Sequence, residues 1–250
     1  MEAAREVKRA LMQRFFYAAL GETAYADRPR RKLPQGWALL PTEALLAGEP
    51  KNGVSPKASS RPPGTPTFSI AAIRDGRVDL SNCDNLKYIQ VPEKVAEQNG
   101  LNHGDVLIVR GNANPELVGK AGIVDSFPPG CIYPDIAKRV VFHTGGGPSV
   151  SPEYGVLAWN HAVVHNQVLR RAKTSNGTLK INNRDVKQII MPVPPTHEQT
   201  HVVGLARCVD AESDALCEVL RAQEELRKAL MHDLLTGRVR VNNLQTGAPA

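Results

Sequence analysis

Arg110-Gly-Asn112-Ala-Asn114 sets one arginine and two asparagines just beyond an apolar run, Val106–Val109. Arginine can pair with guanine through two hydrogen bonds and asparagine with adenine in the same way, whereas lysine mostly neutralises phosphate. A glycine-opened loop of this composition can enter a major groove; the competing reading is an ordinary Asn/Gly turn. Lys57, Arg61 and Arg74 flank the loop and strand where the globular region begins, and are candidates for the same kind of contact. Arg170, Arg171 and Lys173 close a predicted helix, where they suit phosphate but equally suit the helix's own C-terminal dipole. Catalytic and metal chemistry find less support. His161 and His165 are spaced to share a helix face, yet they lack the glutamate of H-E-x-x-H and a clear third ligand. His143-Thr-Gly-Gly-Gly147 is glycine-rich without the G-K-S/T of a phosphate cradle, so it reads as a turn. No Ser/His/Asp or Cys/His arrangement stands out, and no metal or cofactor is expected.

Charge supports a polyanionic partner. The 250 residues carry a net charge of +6. From Thr196 to Arg240 eight acids face six Lys or Arg, so the excess of positive charge lies before Thr196. It is concentrated in Arg28–Arg61 and in Asn166–Ile190, the latter including Lys180, Arg184 and Lys187. A basic body on a mildly acidic segment suits a polyanion on one side only; the competing reading is a solvated surface. Apolar and charged fractions of 42% and 22% are those of a globular protein, and no apolar run approaches the ~20 residues of a membrane helix. The charged start, Met1-Glu-Ala-Ala-Arg, argues against a secretory or transit peptide. Cys83, Cys131, Cys208 and Cys217 show no metal spacing and read as reduced thiols, so the expected location is the cytoplasm with no membrane partner.

The element that dominates the pattern is a C-terminal helix. Pro192-Val-Pro-Pro195 reads as a break in regular structure, and Thr196-His-Glu-Gln199 has the form of a capping box. A 3.5-residue step then visits Val202, Leu205, Val209, Glu212, Leu216, Val219, Gln223, Leu226, Leu230 and Asp233. The apolar members form a coiled-coil seam that needs a partner helix. The N-terminus repeats the end of this rod: Lys8-Arg-Ala-Leu-Met-Gln-Arg-Phe-Phe16 lines up with Arg227-Lys-Ala-Leu-Met-His-Asp-Leu-Leu235. Between them Thr67–Ile73, Val106–Val109, Val140–Phe142, Thr178–Ile181 and Ile189–Val193 read as strands, and Tyr154–Ala172 as one helix. The expected class is α+β. The expected divisions are a short helix over 1–21, a recognition domain over 22–195, a long coiled-coil helix over 196–237 and a tail over 238–250.

Several segments, in this order, resemble a known family. Leu33-Pro-Gln-Gly-Trp37 is similar to the opening of a target-recognition domain in the specificity subunits of type I restriction-modification systems. Gly104-Asp-Val-Leu-Ile-Val-Arg110 with Leu117-Val-Gly-Lys120 resembles that domain's core. Asn182-Asn-x-Asp185, leading to Ile190-Met-Pro-Val-Pro-Pro-x-x-Glu-Gln199, resembles its exit, and Asp233-Leu-Leu-Thr-Gly-Arg-Val239 resembles the usual end of the conserved helix. The middle, about residues 50 to 180, is diverged. The resemblance implies a non-catalytic subunit that reads one half of a bipartite double-stranded DNA target. It also implies partners: a DNA adenine methyltransferase subunit that docks on the long helix, and a motor-nuclease restriction subunit that joins for cleavage. A whole subunit of that family carries two such domains, so this chain corresponds to one half. The seam is then expected to pair with a second copy of itself or with another half-subunit. Two alternatives stand beside this: a divergent methyltransferase or nuclease, and a coiled-coil scaffold that ignores DNA. Against the first, Asn114-Pro-Glu and Phe127-Pro-Pro-Gly130 do not fit the N/D-P-P-Y/F motif of an adenine methyltransferase.

Overall fold

The computed structural model describes residues 2–20, 33–80, 85–143, 145, 147–175 and 177–238. In chain order its elements are α1 (Glu2–Leu20), β1 (Ala38–Pro41), β2 (Lys51–Asn52), β3 (Ala58–Ser59), β4 (Thr65–Phe68), β5 (Ile73–Arg74), β6 (Arg77–Val78), β7 (Leu86–Ile89), α2 (Glu93–Gln98), β8 (Val106–Val109), β9 (Gly111–Asn112), β10 (Ala121–Ile123) and β11 (Ala137–Val140). They continue with α3 (Pro152–Asn160), α4 (Ala162–Arg171), β12 (Lys173–Ser175), β13 (Thr178–Lys180), α5 (Asn183–Lys187), β14 (Ile190–Val193) and α6 (Thr196–Leu235). The class is α+β with a long C-terminal helix. The chain divides into two compact units, a body of Arg9–Leu205 and a second unit of Met1–Lys8 with Ala206–Ala250.

The body is organised on a six-stranded sheet of order β2-β11-β8-β10-β6-β5. Its centre, β8, is buried at every residue, because successive side chains alternate between two cores. Val106 and Ile108 face one core with Trp159, Val164 and Phe142, while Leu107 and Val109 face a second with Phe68, Tyr133 and Val124. A strand covered on both faces reads as a continuous apolar run. Three smaller sheets, β1-β14, β12-β13-β9 and β3-β7-β4, complete the body.

The motifs of the family resemblance serve as scaffold. β1 pairs antiparallel with β14, Ala38 opposite Val193, so the chain's entry into the body lies beside its exit. Gly36 takes a positive φ of +80°, and a Cβ there would lie 2.8 Å from Pro195 Cγ. The Trp37 indole donates to Glu198 Oε2 at 3.1 Å. Gln199 is buried, and its amide accepts from Ser151 N (3.1 Å) while donating to Ser149 O (2.9 Å) and Pro194 O (3.0 Å). This corrects the expected capping box: the Gln199 side chain ties the head of α6 to the head of α3 instead of turning back to Thr196. Within the core motif, Gly119 has φ +76°, a Cβ there would meet Val168 Cγ1 at 2.4 Å, and its carbonyl accepts from the Trp159 indole at 2.7 Å. Asn182 and Asp185 form a reciprocal capping box that starts α5.

Other expectations are corrected. Pro192 does not end regular structure; it stands in β14 opposite Leu39, on a two-stranded ribbon whose edge needs no donor there. The predicted strand at Thr67–Ile73 is interrupted by a 3-10 turn over Ile70–Ala72, and the one at Val140–Phe142 ends at Val140, with Phe142 in an isolated bridge to Leu46. The predicted helix Tyr154–Ala172 is two helices. His161 is extended (φ −70°, ψ 144°), and its ring accepts from Val163 N as the N-cap of α4.

His161 and His165 are both buried, and burial lowers each to about 4; Lys120 adds to the effect at His165. His161 lies 4.6 Å from the Phe16 ring, and His165 Nδ1 has no hydrogen-bond partner. Unfolded histidine titrates near 6.5, so the unfolded chain binds more protons below that pH. Their contribution is complete above about pH 6.5 and is lost as pH falls toward 4. We predict a drop in unfolding free energy on the order of 2–3 kcal/mol per histidine between pH 7 and 4, measured by urea titration, with His165→Leu removing its share of the slope. Gln199→Ala strands three backbone partners, of which Pro194 O is buried and Ser149 O and Ser151 N are half-buried, and is predicted to cost about 1–3 kcal/mol in the same assay at pH 7. A loss below 0.5 kcal/mol, by an order-of-magnitude standard for surface sites, contradicts the clasp.

Candidate nucleic-acid interface

The basic candidates are set by how β8 ends. Arg110 leaves the strand with its backbone fixed on both sides: its N–H donates to Ile136 O (2.8 Å), and its carbonyl accepts from Ile181 N (2.9 Å). The guanidinium reaches Asp135, 3.4 Å from the carbonyl oxygen and 3.5 Å from the carboxylate, and remains partly exposed. Asp135 also connects Arg110 to the segment before β3, because its N–H donates to Ser55 Oγ at 3.0 Å. Lys57, two residues on, is exposed.

On the other side of Arg110, β9 pairs with β13, Gly111 opposite Lys180 and Asn112 opposite Leu179. Lys173 stands opposite Lys180 across β12 and β13. Opposed residues share a face, so these two exposed lysines project together. Like charges directly opposite repel, and an anion laid across them relieves the repulsion. Gly111 has no room for a side chain, since a Cβ would lie 2.8 Å from Lys180 Cγ. Lys57, Arg110, Lys180 and Lys173 therefore lie on segments joined by these contacts, and α4 delivers Arg170 and Arg171 directly before Lys173.

The remaining candidates are placed differently. Asn112 and Asn114 are turn builders: Asn112 Oδ1 accepts from Asn114 N (2.8 Å), and Asn114 Oδ1 accepts from Glu116 N (3.0 Å). Arg171 donates to Gln167 O within its own helix at 3.3 Å. Arg74 is paired with Asp79 on β5, the opposite edge of the large sheet from β2. Arg61 is exposed in the loop between β3 and β4, its N–H held by Ser59 Oγ at 3.1 Å. Lys187 is held between Glu43 and Glu49, 2.7 Å from each. Arg28, Arg30, Arg31 and Lys32 lie outside the described residues. Lys180 entered the sequence reading only as part of a charge cluster; strand pairing is what brings it beside Arg110.

On α6 the seam separates into two parts. Val202 is packed in the body's core with Val203, so it is not available to a partner. Val209 is half-buried, Leu205 is 40% exposed, and Leu216, Val219, Leu226 and Leu230 are all more than half exposed. The repeated segment gives a further contrast. In α1, Met12 and Phe16 are buried in the body's core, with Phe15 packed 5.3 Å from Trp37. Their counterparts Met231, Leu235 and Leu234 are exposed.

Among the described residues, no helix is long and apolar enough to cross a membrane. Cys131 is buried, which pushes its thiol up to about 12.

No family model matches the sequence. Over 240 residues it is 26% identical to the type I restriction enzyme EcoKI specificity subunit of Escherichia coli K12, a match covering 94% of this chain and 47% of that protein. The HsdS subunit from Thermoanaerobacter tengcongensis shares its fold with a TM-score of 0.55 at 15% identity, over 93% of this chain and 51% of that one. A chain from a structure of type I R-M system assembly and conformational transition gives a TM-score of 0.56 at 16% identity, over 93% and 52%. The chain spans about half the length of the curated relatives it matches, 47% in each case. In fold and in sequence, this chain is similar to type I restriction specificity subunits over about half of their length.

Proposed function

We propose that the chain reads double-stranded DNA as a specificity element of a type I restriction-modification system and carries no catalysis of its own. The observation that carries this reading is the set of contacts joining the four segments of Lys57, Arg110, Lys173 and Lys180, which we read as one basic face. Arg110 is the candidate for base readout, since its backbone is fixed and its fork is aimed by Asp135. The lysines serve phosphate. Asn112 and Asn114 support the loop that follows Arg110. The exposed acids Glu212, Asp214, Glu218, Glu224 and Glu225 on α6 supply the docking surface for an adenine methyltransferase subunit, and a restriction subunit joins that complex. The setting is the reducing cytoplasm.

The exposed stripe of α6 is covered by a second copy. Each buried Leu or Val contributes about 1.5–3 kcal/mol, so Leu216, Val219, Leu226 and Leu230 together outweigh the entropy of a weak encounter. In an antiparallel pair, Met231, Leu234 and Leu235 of one copy repeat toward its partner the footprint that Met12, Phe15 and Phe16 make on the body. Two identical bodies related by a two-fold axis read identical half-sites in inverted order, about one helical turn (~34 Å) or more apart.

Two outcomes are expected. Binding to a cognate site should weaken linearly in log–log form with salt, by about one unit of slope per phosphate contacted. Arg110→Ala should cost about 1–3 kcal/mol and relax specificity at one position, while Lys57→Ala weakens all sequences alike. A salt-independent affinity, read by fluorescence anisotropy, contradicts the interface. The double variant Leu216→Lys, Val219→Lys should sediment as a monomer where the parent is a dimer; a monomeric parent contradicts the self-pairing.

A further inference from the structure

Lys138 is a lysine where the sheet should hold an apolar residue. It sits on β11 opposite Ile108 of β8 and Asn52 of β2, and only 1% of it is exposed. Its ammonium donates to Asn52 Oδ1 at 2.6 Å and to Asn183 Oδ1 at the start of α5. Asn183 in turn donates to Pro50 O at 2.8 Å. Both acceptors are neutral amides. The charges that face it are Arg110 from the end of β8, which opposes protonation, and Asp185 from α5, which favours it. Arg139, the next residue of β11, is engaged by Asp105 and lies over the Tyr133 ring. Lys51 of β2 and Arg184 of α5 are exposed, and Lys187 of α5 is held by Glu43 and Glu49. Burial is the main cause that lowers Lys138 to about 8.

A buried cation with no carboxylate partner costs stability at neutral pH, so an apolar residue of similar volume serves a purely architectural role better. The arrangement makes sense if the charge is used. We propose that Lys138 is a positioning residue of the nucleic-acid face: its ammonium knots β2 and α5 together behind Arg110, and the knot tightens when an anion settles on that face. The proposal rests on the DNA-binding reading above. A phosphate or base edge at Arg110 offsets the positive potential that opposes Lys138, so the complex holds the Lys138 proton more firmly than the free protein does. By linkage, binding takes up protons in the range where free Lys138 titrates, and affinity falls as pH rises through about 8.

The test uses the whole chain and a duplex containing its cognate site, with affinity measured from pH 7 to 9.5. The parent should lose about three- to tenfold in affinity across that range. Calorimetry at pH 8 in two buffers of different ionisation enthalpy should show proton uptake, a readout that needs no variant. Lys138→Met should bind several-fold more weakly at pH 7, with no pH slope and with thermal stability equal to or above the parent's. Lys138→Arg, which does not titrate in this range, should recover most of the affinity without the slope. PH-independent affinity in the parent, or the same slope in Lys138→Met, overturns the role of Lys138 while leaving DNA binding intact. Loss of stability in step with loss of binding in Lys138→Met, without proton uptake in the parent, overturns it as well. A parent that binds no duplex at any pH overturns the DNA reading itself.

Discussion

The pairing of β1 with β14 is the constraint on which the remainder of the body depends. It brings residues 38–41 beside 190–193 within the body and so closes the stretch of chain between them, with Trp37 bonded to Glu198 and Gly36 against Pro195. Gln199 completes the closure by bonding three backbone groups, Ser151 N, Ser149 O and Pro194 O. An element closed in this way can carry a variable interior while its attachment to a helix stays constant.

Inside the closure, the large sheet works as a platform. β8 is covered on both faces, so its end cannot shift without disturbing two cores, and Arg110 inherits that rigidity. A side chain that must distinguish one base edge from another needs such a base, because an error of an ångström forfeits a bidentate contact. Lys173 and Lys180 sit on three-residue strands and Lys57 in the loop before β3, where phosphate neutralisation would need less precision than base readout. In the proposed reading, rigid base readout and adaptable phosphate neutralisation therefore fall to different residues.

What the sequence disclosed followed from physical pattern. α6 was legible because forty residues without proline carry a sustained seam, and β8 because burial on both faces leaves an unbroken apolar run. The break at His161 was hidden, since a histidine that caps a helix looks like any residue inside one. β2, β3, β5, β6 and β9 are two residues long, too short for a period-2 signal to appear. Gln199 matched a capping-box pattern, but a tertiary partner at Ser149–Ser151 took its amide instead. Among the interface residues, Arg110 and Lys57 could be named from type and context, whereas Lys180 and Lys138 became visible only through strand pairing, which joins positions far apart in the chain. Asn112 and Asn114 were read two ways, and the hydrogen bonds favour the turn.

The claim at the centre of this account is that the body reads a DNA sequence and that two bodies do so in inverted order. Selection of bound duplexes from a random library, followed by sequencing of the retained pool, tests both halves of it at once. The account predicts enrichment of one short motif present twice, as inverted copies separated by a spacer of fixed length and free sequence. A retained pool with the composition of the starting library would contradict sequence reading, and a single enriched half-site without its inverted mate would contradict the paired arrangement.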